Sequence, residues 1–518
     1  MPTFNNYLTT VSGSEKASVL SGLRALLGLP NYADRYMSAA TRVHPPINLN
    51  TTTSANNNRA TRIGYNTPDY PTYNTRLVYV NWYNDSNTTP SVETDTDGVL
   101  TLDAVGYEVG GVVTPVTFGG ATTVDIPIGG FVISDPINRM NSPETRAFVR
   151  TADSVIAGNK RPSGWVAQVK NGEGVVLAST KQTALATSGT ISGTAGLWGP
   201  AAIIAQGWDG RDVAGILGDS VTFGQNDNGN SCDLRGNAGF WARGLDNPVN
   251  GRVPYMMMAR PASRASQQAA DSTGAMKRLL EMLRGIAALN TGNAWPFTVI
   301  TSGMGINDSN TSISTMTTDM QNWWNFLAAT FSGLKLVQST YGPRSSAANN
   351  TLFTNLTDQT PTSPNNSLTT GPRMGLNALI RSVPSPLTGF ADSGPLFGDT
   401  TEPLKWAVRP FATTLAAAAA SGATTISTVD RPAVEETLCF EPGDATNNDG
   451  ALNYAVVNVT GVGPFTVTLS VGLAKAHASG AIVRATSVQD TLHPSSAAHK
   501  TSSAGIVAAK AAGYIRGT

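Results

Sequence analysis

The chain has 518 residues, with 35 basic and 35 acidic side chains and so no formal net charge. That balance argues against a nucleic acid or an anionic membrane surface as the main partner, and the length predicts more than one domain. Charged residues make up only 14% of the chain, against 52 glycines and 30 prolines, a composition closer to turn-rich β proteins outside the cell or on particles than to helical cytosolic enzymes.

Met1 to Thr10 shows neither a positive stretch nor an apolar one, so no signal peptide is expected there. The sequence has no run of apolar residues long enough to span a membrane. Residues 1–62 read as a helical leader and linker. Val19, Leu20, Leu23, Leu26 and Leu27 recur at helical spacing, Gly28-Leu29-Pro30 stops them, and Pro45 to Arg62 is polar and rich in Asn and Thr. Residues 63–204 turn to β character. Arg76 to Tyr83 is β-branched and aromatic, and Val99 to Leu102, Val116 to Phe118 and Thr123 to Ile126 follow at short intervals. Several short strands with Gly-rich turns predict a β-sandwich.

From residue 205 strands and helices alternate. Strands are expected at Val213–Gly218, Tyr255–Ala259, Phe297–Ser302 and Leu334–Thr340. Met276, Leu279, Leu280, Leu283, Ile286 and Leu289 mark one apolar helix face, and Met316, Met320, Trp323, Leu327 and Phe331 mark another. Such alternation predicts a parallel sheet covered by helices. Residues 343–410 are loop-rich and punctuated by proline, placed to shape the mouth of a site. Residues 412–484 read as an inserted small β module, with strands at Thr437–Phe440, Tyr454–Val459 and Phe465–Leu469. That leaves 205–411 with 485–518 as one alternating strand–helix unit, interrupted by the module.

Three stretches carry chemistry. The first apolar strand of that unit ends in Gly218-Asp219-Ser220. Ser220 there is a nucleophile at a strand's C-terminal end, or the N-cap of the next helix. Val299 to Ser302 runs into Gly303-Met304-Gly305-Ile306-Asn307-Asp308, where Asn307 is a donor to an anion or an Asx-turn residue. Asp490-Thr491-Leu492-His493-Pro494 lies near the end. Its three-residue spacing lets a carboxylate meet an imidazole across one turn. Only His44, His477, His493 and His499 are available in the whole chain; His477 reads as structural and His499 as surface or helix packing. Cys232 and Cys439 either pair or stay as free thiols, and no Cys/His cluster has metal-ligand spacing, so neither metal nor cofactor is expected.

Ser, then Asn, then Asp-x-x-His, in that order, resembles the SGNH (GDSL) hydrolases over roughly residues 205–411 and 485–518. The resemblance implies a three-layer αβα, flavodoxin-like parallel sheet. It implies Ser220 as nucleophile, His493 as general base and acid, and Asp490 as the group that orients His493. An oxyanion hole would be formed by the Ser220 N–H, the Asn307 side chain and a backbone N–H after the second strand. The family usually has glycine at that last place. This chain reads Arg260-Pro261-Ala262-Ser263-Arg264-Ala265-Ser266, which leaves Ala262 or Ser263 as the donor. Arg76-Leu77-x-x-x-Asn81, Val116-Thr117-Phe118-Gly119-Gly120, Ile126-Pro127-x-Gly129 and Ser134-Asp135-Pro136 resemble the β-sandwich that precedes the catalytic domain in some secreted bacterial SGNH esterases. The 412–484 module is similar to small β modules of phage tail and bacterial surface proteins. Together these imply a secreted or particle-borne esterase for short acyl groups, acetyl esters on carbohydrate foremost, with a small ester or acetylated glycan as partner. The alternative is a phage or cell-surface protein that uses this domain as a carbohydrate-binding scaffold. Asn307 opens an Asn-x-Ser sequon, yet its side chain must stay free in an active enzyme, so no glycan is expected there.

Overall fold

In the computed structural model the described residues are 34–517 apart from 87, 89–90, 165–166, 195, 228–230, 270–274, 349–351, 450–453, 489 and 491. The helix expected between Val19 and Leu27 lies outside them. The chain is mixed α/β, with one five-stranded parallel sheet and several antiparallel ones.

The parallel sheet runs Tyr255–Met257, Ala214–Leu217, Val299–Ser302, Lys335–Ser339 and Gly389–Ala391 in spatial order, each pair parallel. The chain leaves the first strand to one side and returns to the other, so its switch point lies between Ala214–Leu217 and Val299–Ser302. Open α/β sheets place their crevice at the carboxyl ends of the strands at such a point. Neighbouring residues of one strand point to opposite faces, and they divide here between two cores. Leu217, Ile300 and Leu336 join the helices Lys277–Ala287, Ile313–Thr330 and Pro372–Arg381 through Leu283, Trp323 and Leu376. Ala214, Ile216, Val299 and Val337 join the helices Gly239–Leu245 and Ala504–Ala511 through Trp241 and Ile506.

Two glycines set the carboxyl edge. A Cβ on Gly218 would lie 2.4 Å from Thr222 Cβ, and one on Gly303 would lie 1.9 Å from Thr222 Oγ1. Only bare backbone lets both strand ends close around the turn that begins at Ser220.

Among the described residues two large antiparallel sheets precede this unit, with two further sheets of two strands each. One large sheet has four strands, Met37–Ser38, Ala202–Gln206, Tyr73–Val80 and Phe131–Ile133; the other is centred on Asn58–Asn66, Arg146–Ser154 and Leu100–Val109. Leu77, Tyr79 and Ile203 from the first share a core with Ile63, Tyr65, Tyr107 and Val149 from the second. Alternate residues of the first sheet, Val78, Val80 and Ile204, belong instead to the core that contains Leu283 and Ile286 of the following unit. At the contact Gly285 leaves room for Phe131, whose ring atom would be 2.4 Å from a Cβ there. The four-stranded sheet is thus buried on both faces.

Residues 411–483 hold a separate core of Leu415, Leu438, Phe440, Tyr454, Val467 and Val483 within a six-stranded antiparallel sheet. The Ala485 N–H donates to the Phe411 carbonyl at 3.0 Å, which brings the two ends of the segment together.

Several expectations need correction. The stretch Pro45 to Arg62, read as a linker, contains the strand Asn48–Thr51 and most of Asn58–Asn66. Polar side chains concealed it: Arg59 is fully buried because Asp153 on the adjacent strand accepts from it at 2.8 Å. The single strand expected over Arg76 to Tyr83 breaks at Asn81 and continues as Trp82–Asp85 in a different sheet. The Asn81 amide donates to Gly98 and Ile126 carbonyls, which holds the break. Within the loop-rich 343–410 lie the helix Pro372–Arg381 and the fifth parallel strand. Of the two readings of His499, surface or helix packing, the second holds. His499 is fully buried, stacked on Phe240 at 6.3 Å, and burial pushes its pKa down to about 3. Cys232 and Cys439 are both buried, and no disulfide joins them.

Candidate active site

Ser220 begins the short helix Ser220–Phe223 at the carboxyl end of Ala214–Leu217. The sequence allows it to be nucleophile or cap. The cap is Asp219, whose Oδ1 accepts from the Val221 and Thr222 N–H groups at 3.0 and 3.3 Å. The Ser220 hydroxyl is therefore free to turn elsewhere, and it lies 2.8 Å from His493 Nε2. Asp219 is wholly buried and its Oδ2 has no partner among the described residues. Burial raises its pKa to about 7, against the pull of the two N–H bonds and of nearby His493.

His493 Nδ1 lies 2.7 Å from Asp490 Oδ2. The other oxygen of Asp490 accepts from the backbone N–H groups of Leu492 and His493 at 2.7 and 2.6 Å. Burial pushes the Asp490 carboxyl up, but the His493 contact and these two N–H bonds outweigh it and hold the pKa below the ordinary value. The carboxylate thus stays ionised beside the ring and fixes which ring nitrogen carries hydrogen. The turn is pinned from behind, where the Ser495 N–H donates to the Ser487 carbonyl and the Ser495 hydroxyl to the Thr486 carbonyl. Ser220, His493 and Asp490 form one hydrogen-bonded line.

Asn307 and Asp308 occupy a single turn after Val299–Ser302. The Asn307 Nδ2 donates to the Ser263 carbonyl at 2.9 Å. Asp308 accepts from the Ala265 and Ser266 N–H groups at 2.9 and 3.3 Å, and from the Ser266 hydroxyl at 3.0 Å. The two side chains strap the 260–266 loop to the Asn307 turn. Within that loop Ala262 and Ser263 differ. The Ser263 N–H donates to the Arg260 carbonyl at 3.3 Å, and Ser263 is buried. Ala262 faces the cleft beside Ser220, and none of the described residues accepts from its N–H. Its φ is +61°, the left-handed region that glycine enters without cost. The backbone here takes the shape a glycine would favour while carrying a methyl group.

Ser220, His493, Asn307 and Ala262 line one cleft of about 500 Å³. Lining residues that a reading of the sequence misses include Ile47, Ser86, Gln225, Asn310, Arg264 and Arg344. Arg264 stands two residues past Ala262 in the candidate donor loop, and Arg344 opens the loop-rich stretch, so adjacency is the available signal. Ile47 and Ser86 have none, because they come from the N-terminal antiparallel region. That region also reaches the 260–268 segment directly, where Gln267 Nε2 donates to the Ser91 carbonyl at 2.8 Å.

Among the described residues there is no group of three or more His, Cys, Asp or Glu side chains that could hold a metal ion. Among them, no helix is long and apolar enough to cross a membrane.

No family model and no curated protein matches the chain. Solved structures similar to it include GDSL-like lipases and carbohydrate esterases. A family two carbohydrate esterase from Cellvibrio japonicus is 11% identical, over 72% of this chain and 90% of that one, at a TM-score of 0.25. A lipase from a goat rumen metagenome is 14% identical, over 36% of this chain and 83% of that one, at 0.24. A Parabacteroides merdae protein assigned as a GDSL-like lipase is 11% identical, over 36% and 80%, at 0.23. Likeness at this level says nothing of substrate; the geometry of the site carries the functional reading.

Proposed function

We propose that the protein is a serine ester hydrolase of the SGNH type, acting on short acyl esters of a carbohydrate. The observation that carries this reading is the line Asp490 Oδ2, His493 Nδ1, His493 Nε2, Ser220 Oγ, with contacts of 2.7 and 2.8 Å, opening into a cleft with unspent donors.

Ser220 Oγ attacks the ester carbonyl as His493 Nε2 takes its proton. The carbonyl oxygen becomes an oxyanion, received by the Ser220 N–H, the Ala262 N–H and the second Nδ2 hydrogen of Asn307. Asp490, acceptor to Nδ1–H, stabilises the imidazolium. The intermediate collapses, the C–O bond to the alcohol breaks, and His493 returns the proton to the leaving oxygen. Water then adds to the acyl-enzyme with His493 again as base, releasing a carboxylic acid and restoring Ser220.

The polar character of the cleft supports a sugar alcohol over a long-chain lipid: Ser86, Gln225, Asn307, Asn310, Arg264 and Arg344 all line it. In this reading residues 205–411 with 485–518 form a three-layer αβα catalytic domain. The preceding region is a β-sandwich that lends it a wall, and 412–484 is an inserted module. A secreted or particle-borne setting fits the composition.

The test is hydrolysis of p-nitrophenyl acetate, butyrate and octanoate by wild type and by Ser220→Ala, matched for folding by circular dichroism. Turnover should favour acetate and fall by about 10⁴-fold or more in the variant. Equal rates in both proteins on every ester would replace this reading with the carbohydrate-binding scaffold.

A further inference from the structure

The residues that line the cleft include two arginines, Arg264 and Arg344, and no aspartate or glutamate. Several enclosed arginines elsewhere in this protein meet carboxylates: Arg42 with Glu173, Arg59 with Asp153, Arg243 with Asp227. Among the described residues, neither Arg264 nor Arg344 forms a salt bridge. Arg264 Nε is buried without a hydrogen-bond partner. Arg344 donates from Nη1 to Asn310 Oδ1 at 2.8 Å, a neutral acceptor. The carboxylate whose field reaches it is Asp490, which is already engaged by His493 and two N–H groups.

Their placement follows from the sheet. Arg264 lies beyond Tyr255–Met257 and Arg344 beyond Lys335–Ser339, while the Ser220 and Asn307 turns follow the two strands between them. Two guanidinium groups therefore bracket the reacting serine along the row of strand ends. Guanidinium forks match oxyanions in geometry as well as charge, and a concave site of one sign concentrates ligands of the other. A cation with no anionic partner in a half-enclosed site is costly to keep, and a ligand anion would remove that cost.

We propose that the acyl group is carried by an acidic sugar, whose carboxylate is bound by Arg264 and Arg344 while Ser220 attacks the ester on the same or the adjoining residue. This rests on the reading of Ser220 as nucleophile and names the substrate class for it: an O-acylated uronate-type glycan in place of a neutral one.

The test compares kcat/KM on acetylated oligogalacturonate and on acetylated xylo-oligosaccharide, for wild type, Arg264→Gln, Arg344→Gln and the double variant, at low and high salt. Wild type should prefer the acidic substrate by roughly tenfold or more at low salt, and each glutamine should lower that ratio by a comparable factor. Arg344→Lys should keep part of the preference. An acid-to-neutral ratio near one in wild type overturns the proposal. So does a fall on both substrates by the same factor, because an arginine that only supports Asp490 would act on every ester alike. A second arm measures binding of unacetylated oligogalacturonate and xylo-oligosaccharide to Ser220→Ala by calorimetry. Selective binding of the acidic chain that needs both arginines, beside a wild type that hydrolyses no ester, would preserve the anion site and sink the esterase reading. Equal binding of both chains, with ester turnover intact, would do the reverse.

Discussion

The two antiparallel β regions stand in opposite relations to the site. The N-terminal one is continuous with the catalytic unit. Its four-stranded sheet puts Val78, Val80 and Ile204 into the same core as Leu283 and Trp323, and Trp82 joins them. Two side chains of the region line the cleft itself. The segment 411–483 has its own core and meets its surroundings through ion pairs, Arg409 with Glu436 and Arg243 and Lys500 with Glu435. Shared apolar burial couples the folding of two parts, whereas enclosed ion pairs add little net stability because desolvating the charges offsets their attraction. Similar secondary structure therefore says nothing about dependence; the cores do.

The sharpest break in that comparison is Trp82→Ala. Trp82 is 1% exposed within the shared core, and the cavity left should cost about 3–5 kcal/mol. In urea the N-terminal region and the parallel-sheet unit should unfold in one shared transition, with activity lost along the same curve, while 411–483 with its own core unfolds independently. Asn307→Ala removes a donor that also holds Ser263; kcat should fall by about 10²–10³-fold with little change in KM.

Asp219→Asn acts on stability through pH. The folded carboxyl titrates near 7, above its unfolded value, so its contribution is fully present in acid and is lost as pH rises through 7. Glu93 near 7 and Asp227 near 6 act in the same direction, so the informative quantity is the difference in Tm between variant and wild type. That difference should move in the variant's favour as pH rises from about 5 to 8, and a flat difference would assign the effect elsewhere.

Ala262→Gly relieves a left-handed alanine and should stabilise by about 1 kcal/mol with turnover retained. The smallest effect is expected from excising 412–484 and joining its ends with a short Gly-Ser link. Phe411 and Ala485 are already hydrogen-bonded neighbours, so esterase kinetics should stay within about twofold, the entropy of closing so short a link being small. Loss of the folded protein on excision would erase the contrast between the two regions.

The sequence displays the parallel strands because buried strands are apolar runs, and it displays the helix Ile313–Thr330 through Met316, Met320 and Trp323. It singles out Ser220, Asn307, Asp490 and His493, and the structure brings them together because they sit in turns after apolar runs or beside a helix start. What stays hidden has physical causes. Asn58–Asn66 carries two arginines whose charges are met by Asp153 and Glu108 on other strands, a pairing no local pattern reveals. In Pro372–Arg381 the proline is at the first helical turn, where it starts a helix, though it reads locally as a breaker. Gly389–Ala391 has three residues, too few for any periodicity. Ala262 and Ser263 are inseparable until the turn shows which N–H is spent.

The strap formed by Asn307 and Asp308 has a consequence for how this site can change. One residue holds the Ser263 carbonyl and the next holds the Ala265 and Ser266 amides, so the Asn307 turn and the Ala262 loop travel as one rigid piece. Neither donor can be retuned alone. Variation, natural or designed, is steered away from the reacting oxygen and toward the free rim of the cleft.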